Sequence, residues 1–156
     1  MEDRASYRVT AWWTSGRAGI ARSEQVPTVI HFTAPVNFGG DPGRWNPEEL
    51  MLAALASCFT TTFHAIASYS KLTYTDLEVK VEGEIQKTTS GFQFTAITLK
   101  PRLHIPEESL RPLAEKVLRK SESLCLVSRA ISTPKQFEME IVVNRPAYST
   151  EAVAGG

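Results

Sequence analysis

Cysteine is scarce in this 156-residue chain, which carries only Cys58 and Cys125. Two thiols cannot build a disulfide scaffold, and neither stands in a C-x-x-C pair, so a structural zinc site has no ligand pattern. Charge of either sign is not in excess: formal net charge is zero and no basic run occurs, which argues against a nucleic-acid partner. A charged-then-apolar leader is missing at Met1, so the expectation is a cytoplasmic protein. Internal repeats and low-complexity segments are missing too, apart from the tail at 149–156, expected to be disordered. The length suits one domain with a sizeable core, here 1–148.

The most telling gap is local. Between Glu49 and Lys71 there is no Asp, Glu, Lys or Arg. Asn46 can cap a helix there, Pro47 fits its first position, and Glu48 and Glu49 suit the positive end of its dipole. Leu, Met, Ala, Phe and Ile then fall on every side, which predicts a helix over 46–70 buried all round. Its length would also span a bilayer. Seven Ser, Thr and His residues dilute it, however, and no Lys/Arg asymmetry flanks it, so the expectation is a core helix and no membrane.

Around this helix the chain alternates between strand and helix signals. Tyr7–Thr14, Ile20–Ser23 and Thr28–Thr33 read as strands, with Arg17 at the first turn. Ala34–Trp45 is a Gly/Pro-rich loop leading to the helix cap. Thr75–Thr88 and Phe92–His104 form a predicted hairpin, with Val79, Val81, Gly83 and Ile85 on one face. Ser109–Lys120 is an amphipathic helix, Glu122–Ile131 a short apolar segment holding Cys125, and Phe137–Val143 a closing strand. The expected class is α+β, with antiparallel sheet packed on the long central helix.

Two readings of the cysteines stand side by side. They are inert core thiols, or they are a peroxidatic and resolving pair. The second makes a physical demand. A nucleophilic thiol needs its pKa lowered, yet Cys58 is mid-helix, where the dipole helps little and burial raises the pKa. A cation from elsewhere is then required, best a guanidinium. Glu48, about 15 Å before Cys58 along the helix, cannot touch that thiol within one chain but could fix such an arginine. His64 lies about 240° round the helix from Cys58, too far for a shared face, and is expected in the core or an interface. His31 and His104 show no ligand spacing. Trp12, Trp13, Phe32, Phe38, Trp45, Phe59 and Phe63 are expected mostly in the core, some walling a hydrophobic pocket.

The ordered combination of N-P-E-E-L, A-A-L-A-S-C-F and, 67 positions after Cys58, C-L-V-S-R-A-I resembles the OsmC/Ohr family (osmotically inducible protein C and organic hydroperoxide resistance proteins). The preceding F-G-G-D-P-G-R-W loop is similar to the approach to the same helix in that family. The resemblance implies an intertwined homodimer of α+β protomers with active sites at the subunit interface. It implies a thiol peroxidase that reduces organic hydroperoxides, needs no bound cofactor or metal, and is re-reduced by an external dithiol of the lipoyl type, free or on a lipoylated protein. Cys58 matches the peroxidatic position, Cys125 the resolving one, Glu48 the acid after Asn-Pro, and Arg17 the glycine-flanked arginine. Arg17 would stabilise the Cys58 thiolate, with Arg44 the second candidate, and Glu48 would hold Arg17. The segment after Cys125 departs from the pattern: it reads C-L-V-S, where the family usually has proline after the cysteine. The alternative is a non-catalytic module of the same fold that binds a small hydrophobic ligand, with both cysteines as core residues.

Overall fold

The computed structural model describes residues 3–143. The expected disordered tail lies outside the described residues. The chain divides into two compact units at Met51/Leu52.

The first unit is built on three antiparallel strands in sequential order: β1 (Val9–Ser15), β2 (Ala18–Ser23) and β3 (Ile30–Thr33). The β1–β2 turn falls at Gly16-Arg17, and Gly16 has φ 51°, a left-handed conformation suited to glycine. The loop after β3 is shaped by hydrogen bonds, with no regular strand. A short 3-10 turn spans Val36–Phe38, and the Thr33 hydroxyl accepts from the Asp41 backbone N–H at 3.0 Å. The Thr33 N–H donates to the Trp45 carbonyl at 2.9 Å. The cap then forms as expected. Asn46 Oδ1 accepts from the Glu49 N–H at 2.8 Å, while Glu49 Oε2 accepts from the Asn46 N–H at 3.4 Å. This reciprocal box consumes Glu49 and leaves Glu48 free of the cap.

Aromatics expected in the core lie outside it here. β1 is exposed along its whole length, so Trp12 and Trp13 face solvent, as does Trp45. Phe32 and Phe38 are half-buried. A sheet of three strands in so short a unit has too little mass to cover both of its faces.

Helix α1 (Pro47–Tyr69) runs from the cap into the second unit, whose strands are β4 (Asp76–Thr88) and β5 (Gly91–Ile105), paired antiparallel. Within that unit Leu55, Phe59, Phe63 and Ala67, spaced four apart, form the buried stripe of α1. Phe59 meets Phe63 at 6.5 Å and Phe137 at 5.9 Å between ring centroids. Ile97, Leu99, Leu103 and Ile105 of β5, with Val117 and Leu118 of α2 (Arg111–Leu124), are buried as well. The expectation of burial all round is therefore corrected. Only one stripe of α1 is covered, while Ala54, Ser57, Thr61, Ala65 and Ser68 are exposed. The helix is long and apolar enough to cross a membrane by length and composition, but Leu55, Phe59 and Phe63 are spent on this core.

The closing strand is also corrected. It is two strands, β6 (Lys135–Phe137) and β7 (Glu140–Val143), and both run parallel to β5. A parallel return needs a long crossover, which α2 and α3 (Leu126–Ala130) supply. The break between β6 and β7 lies opposite Lys100-Pro101, since β6 pairs with Ile97–Leu99 and β7 with Arg102–Ile105. Pro101 has no N–H to give, so a continuous ladder cannot run past it.

Candidate active site

Cys58 sits on α1 next to the buried stripe, half-exposed, with Phe59 as its inward neighbour. Cys125 is fully buried and lies in no helix. Its φ of −60° and ψ of 112° end α2 and begin α3. The bend turns the first backbone N–H groups of α3, which have no partner within that helix, toward the two sulfurs.

The thiols are hydrogen-bonded to each other, and neither is in a disulfide. Burial pushes the Cys58 thiol up. Hydrogen bonds from the Val127 backbone, the Cys125 thiol, the Thr62 hydroxyl and the Leu126 backbone together outweigh it, and the pKa falls below the ordinary thiol value. Cys125 moves the other way: burial raises it, the Ser128 backbone opposes, and the neighbouring Cys58 sulfur adds to the rise. The first thiol to ionise is thus Cys58, with Cys125 kept protonated as its donor. The expected arginine is not among these groups. Groups of the second unit alone bring Cys58 below its ordinary value, because two backbone N–H groups and two side-chain donors act on one sulfur.

The two charged residues of the expected site lie in the first unit, and they are not joined. The Arg17 guanidinium donates to the Phe38 carbonyl at 2.6 Å. Glu48 Oε2 is buried and has no hydrogen-bond partner. A buried carboxylate oxygen left so carries a desolvation cost that an arginine would relieve. Arg44, the second candidate, is exposed in the loop before the cap. Arg17 also borders a cavity of about 390 Å³ walled by Ala11, Trp12, Trp13, Phe32 and Pro47, which is the expected hydrophobic pocket in outline. His64 is exposed, not core, and its Nδ1 lies 2.8 Å from the Tyr74 hydroxyl. Among the described residues no three of His, Cys, Asp or Glu converge on a metal position.

Thr62, Leu126 and Val127 were not singled out by the sequence reading. Thr62 had a usable signal, since it is one helical turn after Cys58. The two backbone donors had none, because their side chains do not take part.

Residues 39–140, well over half of the chain, match the OsmC-like protein family. An uncharacterized Bacillus subtilis (strain 168) protein, YmaD, is 28% identical over 146 residues, covering 92% of this chain and 97% of its own length. Peroxiredoxin OsmC of Escherichia coli (strain K12) is 29% identical over 94 residues, 60% of this chain and 64% of its own. Among solved structures, an organic hydroperoxide resistance protein OsmC from Legionella pneumophila superposes with a TM-score of 0.73. That match has 22% identity and covers 91% of this chain and all of the other, a likeness of fold. The family includes peroxiredoxin-type enzymes. With its mixed sheets, its long helix and its paired thiols, the chain belongs to the OsmC-like protein family.

Proposed function

We propose that this chain is a cytoplasmic thiol peroxidase that reduces organic hydroperoxides to alcohols. One observation carries the reading: two hydrogen-bonded free thiols whose acidities are driven apart, Cys58 down and Cys125 up. That is the division of labour a nucleophile and its resolving partner require.

The Cys58 thiolate attacks one peroxide oxygen. The S–O bond forms as the O–O bond breaks, and the departing alkoxide takes a proton and leaves as the alcohol. Cys58 is left as a sulfenic acid, oxidised by two electrons. Cys125 attacks its sulfur, an S–S bond forms and water leaves. An external dithiol, of the lipoyl type, then returns both thiols by exchange and becomes a disulfide itself. Arg17 polarises the peroxide and steadies the thiolate, and Glu48 holds Arg17. The unpartnered Glu48 oxygen supports that pairing. The cavity walled by Trp12, Trp13 and Phe32 supports an apolar substrate. A homodimer belongs to the same reading. The face of α1 that carries Ala54, Thr61, Ala65 and Ser68 is charge-free and uncovered, which supports a second copy packed against it.

Thiol titration with and without cumene hydroperoxide tests the activity. Two thiols per chain are lost if the reading holds. Unchanged thiols refute it and leave the ligand-binding module, while loss of one thiol with over-oxidation removes Cys125 from the resolving role.

A further inference from the structure

Lys100, Arg102 and Arg111 of the second unit pair with carboxylates, at 2.9 Å from Glu82, 3.5 Å from Glu140 and 2.6 Å from Glu108. Lys135 does otherwise. It is half-buried on β6, and its ammonium donates to the Ile131 carbonyl and, at 3.2 Å, to the Thr133 carbonyl. A lysine ordinarily keeps its head in water. Here the head closes the segment between α3 and β6 into a clasp. On one side of the clasp, Lys135 lies in register with Ile97 of β5, whose N–H donates to the Pro134 carbonyl at 3.0 Å. On the other side, the Ile131 N–H donates to the Ser128 carbonyl at 3.3 Å and the Arg129 N–H to the Cys125 carbonyl at 3.0 Å. The clasp thus joins the sheet to α3, and α3 starts from Cys125. With five residues, α3 is too short to hold its shape alone.

We propose that Lys135 is a positioning residue for Cys125: by holding the far end of α3 to the sheet, its ammonium keeps the Cys125 sulfur in place to attack the oxidised Cys58. The inference rests on the peroxidase reading, in which Cys125 resolves the Cys58 sulfenic acid. A disulfide forms only within narrow geometry, so a small drift of Cys125 lowers its rate steeply. At its near end Cys125 is fixed to α2, since its N–H donates to the Ser121 carbonyl at 2.9 Å. That bond sets where the bend starts, and the clasp at the far end sets where α3 goes from it. Without the ammonium, the Ile131 and Thr133 carbonyls turn to water and the segment 131–135 loosens. The chemistry itself is unchanged. Cys125 attacks the Cys58 sulfur, the S–S bond forms, and the hydroxyl of the sulfenic acid leaves with a proton as water. Lys135 takes part in no bond change and gives up no proton.

The test uses Lys135→Met, which keeps an unbranched stem and removes the charged donor, and Lys135→Arg, which keeps a charged donor. The first readout needs no peroxide. The dithiol–disulfide equilibrium of Cys58 and Cys125 is measured against dithiothreitol, with two electrons and two protons passing from the cysteines to the oxidised probe. A hydrogen bond from a charged donor at a half-buried site is worth about tenfold in an equilibrium. In Lys135→Met the constant for forming the disulfide therefore falls about tenfold, a rise in potential of about 30 mV. The second readout is the ratio of sulfinic Cys58 to disulfide after excess cumene hydroperoxide, by mass spectrometry. It rises about tenfold in Lys135→Met, because resolution slows while over-oxidation does not. Lys135→Arg returns both to near the parent values. A Lys135→Met variant that melts lower but leaves both ratios unchanged overturns the proposal, since the lysine then serves stability alone. So does an arginine variant as impaired as the methionine one. Should Lys135→Met not fold, Lys135→Gln, a shorter and uncharged donor, takes its place with the same expected direction. If the parent forms its disulfide with dithiothreitol but not with cumene hydroperoxide, and Lys135→Met shifts the equilibrium, the peroxidase reading fails and the positioning role stands. A parent that forms no Cys58–Cys125 disulfide with either overturns both.

Discussion

Replacing Leu126 by proline removes one hydrogen bond to the Cys58 sulfur and changes little else. Leu126 is the first residue of α3, a helical position at which proline is well accommodated. Cys125 before it has φ −60° and ψ 112°, close to the extended conformation that a residue preceding proline adopts. The leucine side chain is 72% exposed, so its loss leaves no cavity. The one group lost that matters is the N–H, which helps to lower Cys58. A hydrogen bond to a charged acceptor contributes about 1.5–3 kcal/mol. Cys58 is only half-buried, and water competes there, so the low end applies. That is about one unit of pKa, or tenfold in thiolate fraction well below the midpoint. The sign follows from the chemistry: losing a donor to the anion favours the neutral thiol, so the midpoint moves up and reactivity at neutral pH moves down. Stopped-flow or quenched iodoacetamide alkylation from pH 5 to 10, with Cys58 located by peptide mapping, gives the midpoint directly. A thermal melt beside it checks that the fold is intact. An unmoved midpoint in a folded variant would refute the account of Cys58 as a sulfur held by backbone donors. The family's usual proline at this position makes the variant informative in a second way, since it sets the acidity Cys58 would have with that pattern restored.

Two more outcomes follow from the same geometry. In the parent protein at about pH 7.5, Cys58 should be alkylated well before Cys125. Its pKa is lowered from the ordinary thiol value by hydrogen-bond donors, while burial raises that of Cys125, so Cys58 carries the larger thiolate fraction. Peptide mapping after limited labelling reads this, and equal labelling of both sites would contradict it. Phe59→Ala should cost about 3–5 kcal/mol in urea unfolding, because the ring is fully buried between Phe63 and Phe137 and its loss opens a cavity in the second unit. A cost under about 1 kcal/mol would mean that the core there collapses freely.

Much of the fold was legible because its signals are local. The cap of α1 needs only Asn46, Pro47 and Glu49 within one turn, and the helix begins where those residues say. The β4–β5 hairpin follows from alternation about a short turn, both read over a few neighbours. The pairing of Cys58 with Cys125 was legible in another way, as an ordered pattern of motifs resembling a family. What could not be read depends on residues far apart in sequence. An apolar helix does not say how many of its faces are covered, and in this chain one stripe of α1 is. Nothing in Phe137–Val143 says it is two strands, because the cause is Pro101 on β5, across the sheet.

The sequence by itself determined where Cys58 stands and which residues cap its helix, since these rest on residue identity and short-range spacing, while its pairing with Cys125 is what the family resemblance implies. Only the tertiary structure decided how Cys58 is made acidic. The helix that carries it offers a sulfur no free N–H at mid-length, and the reading from sequence asked for an arginine. The fold breaks the chain at Cys125 and brings the free N–H groups of Leu126 and Val127 to the thiol, donors that act beside any arginine. Backbone donors have no residue type, so no pattern of side chains announces them.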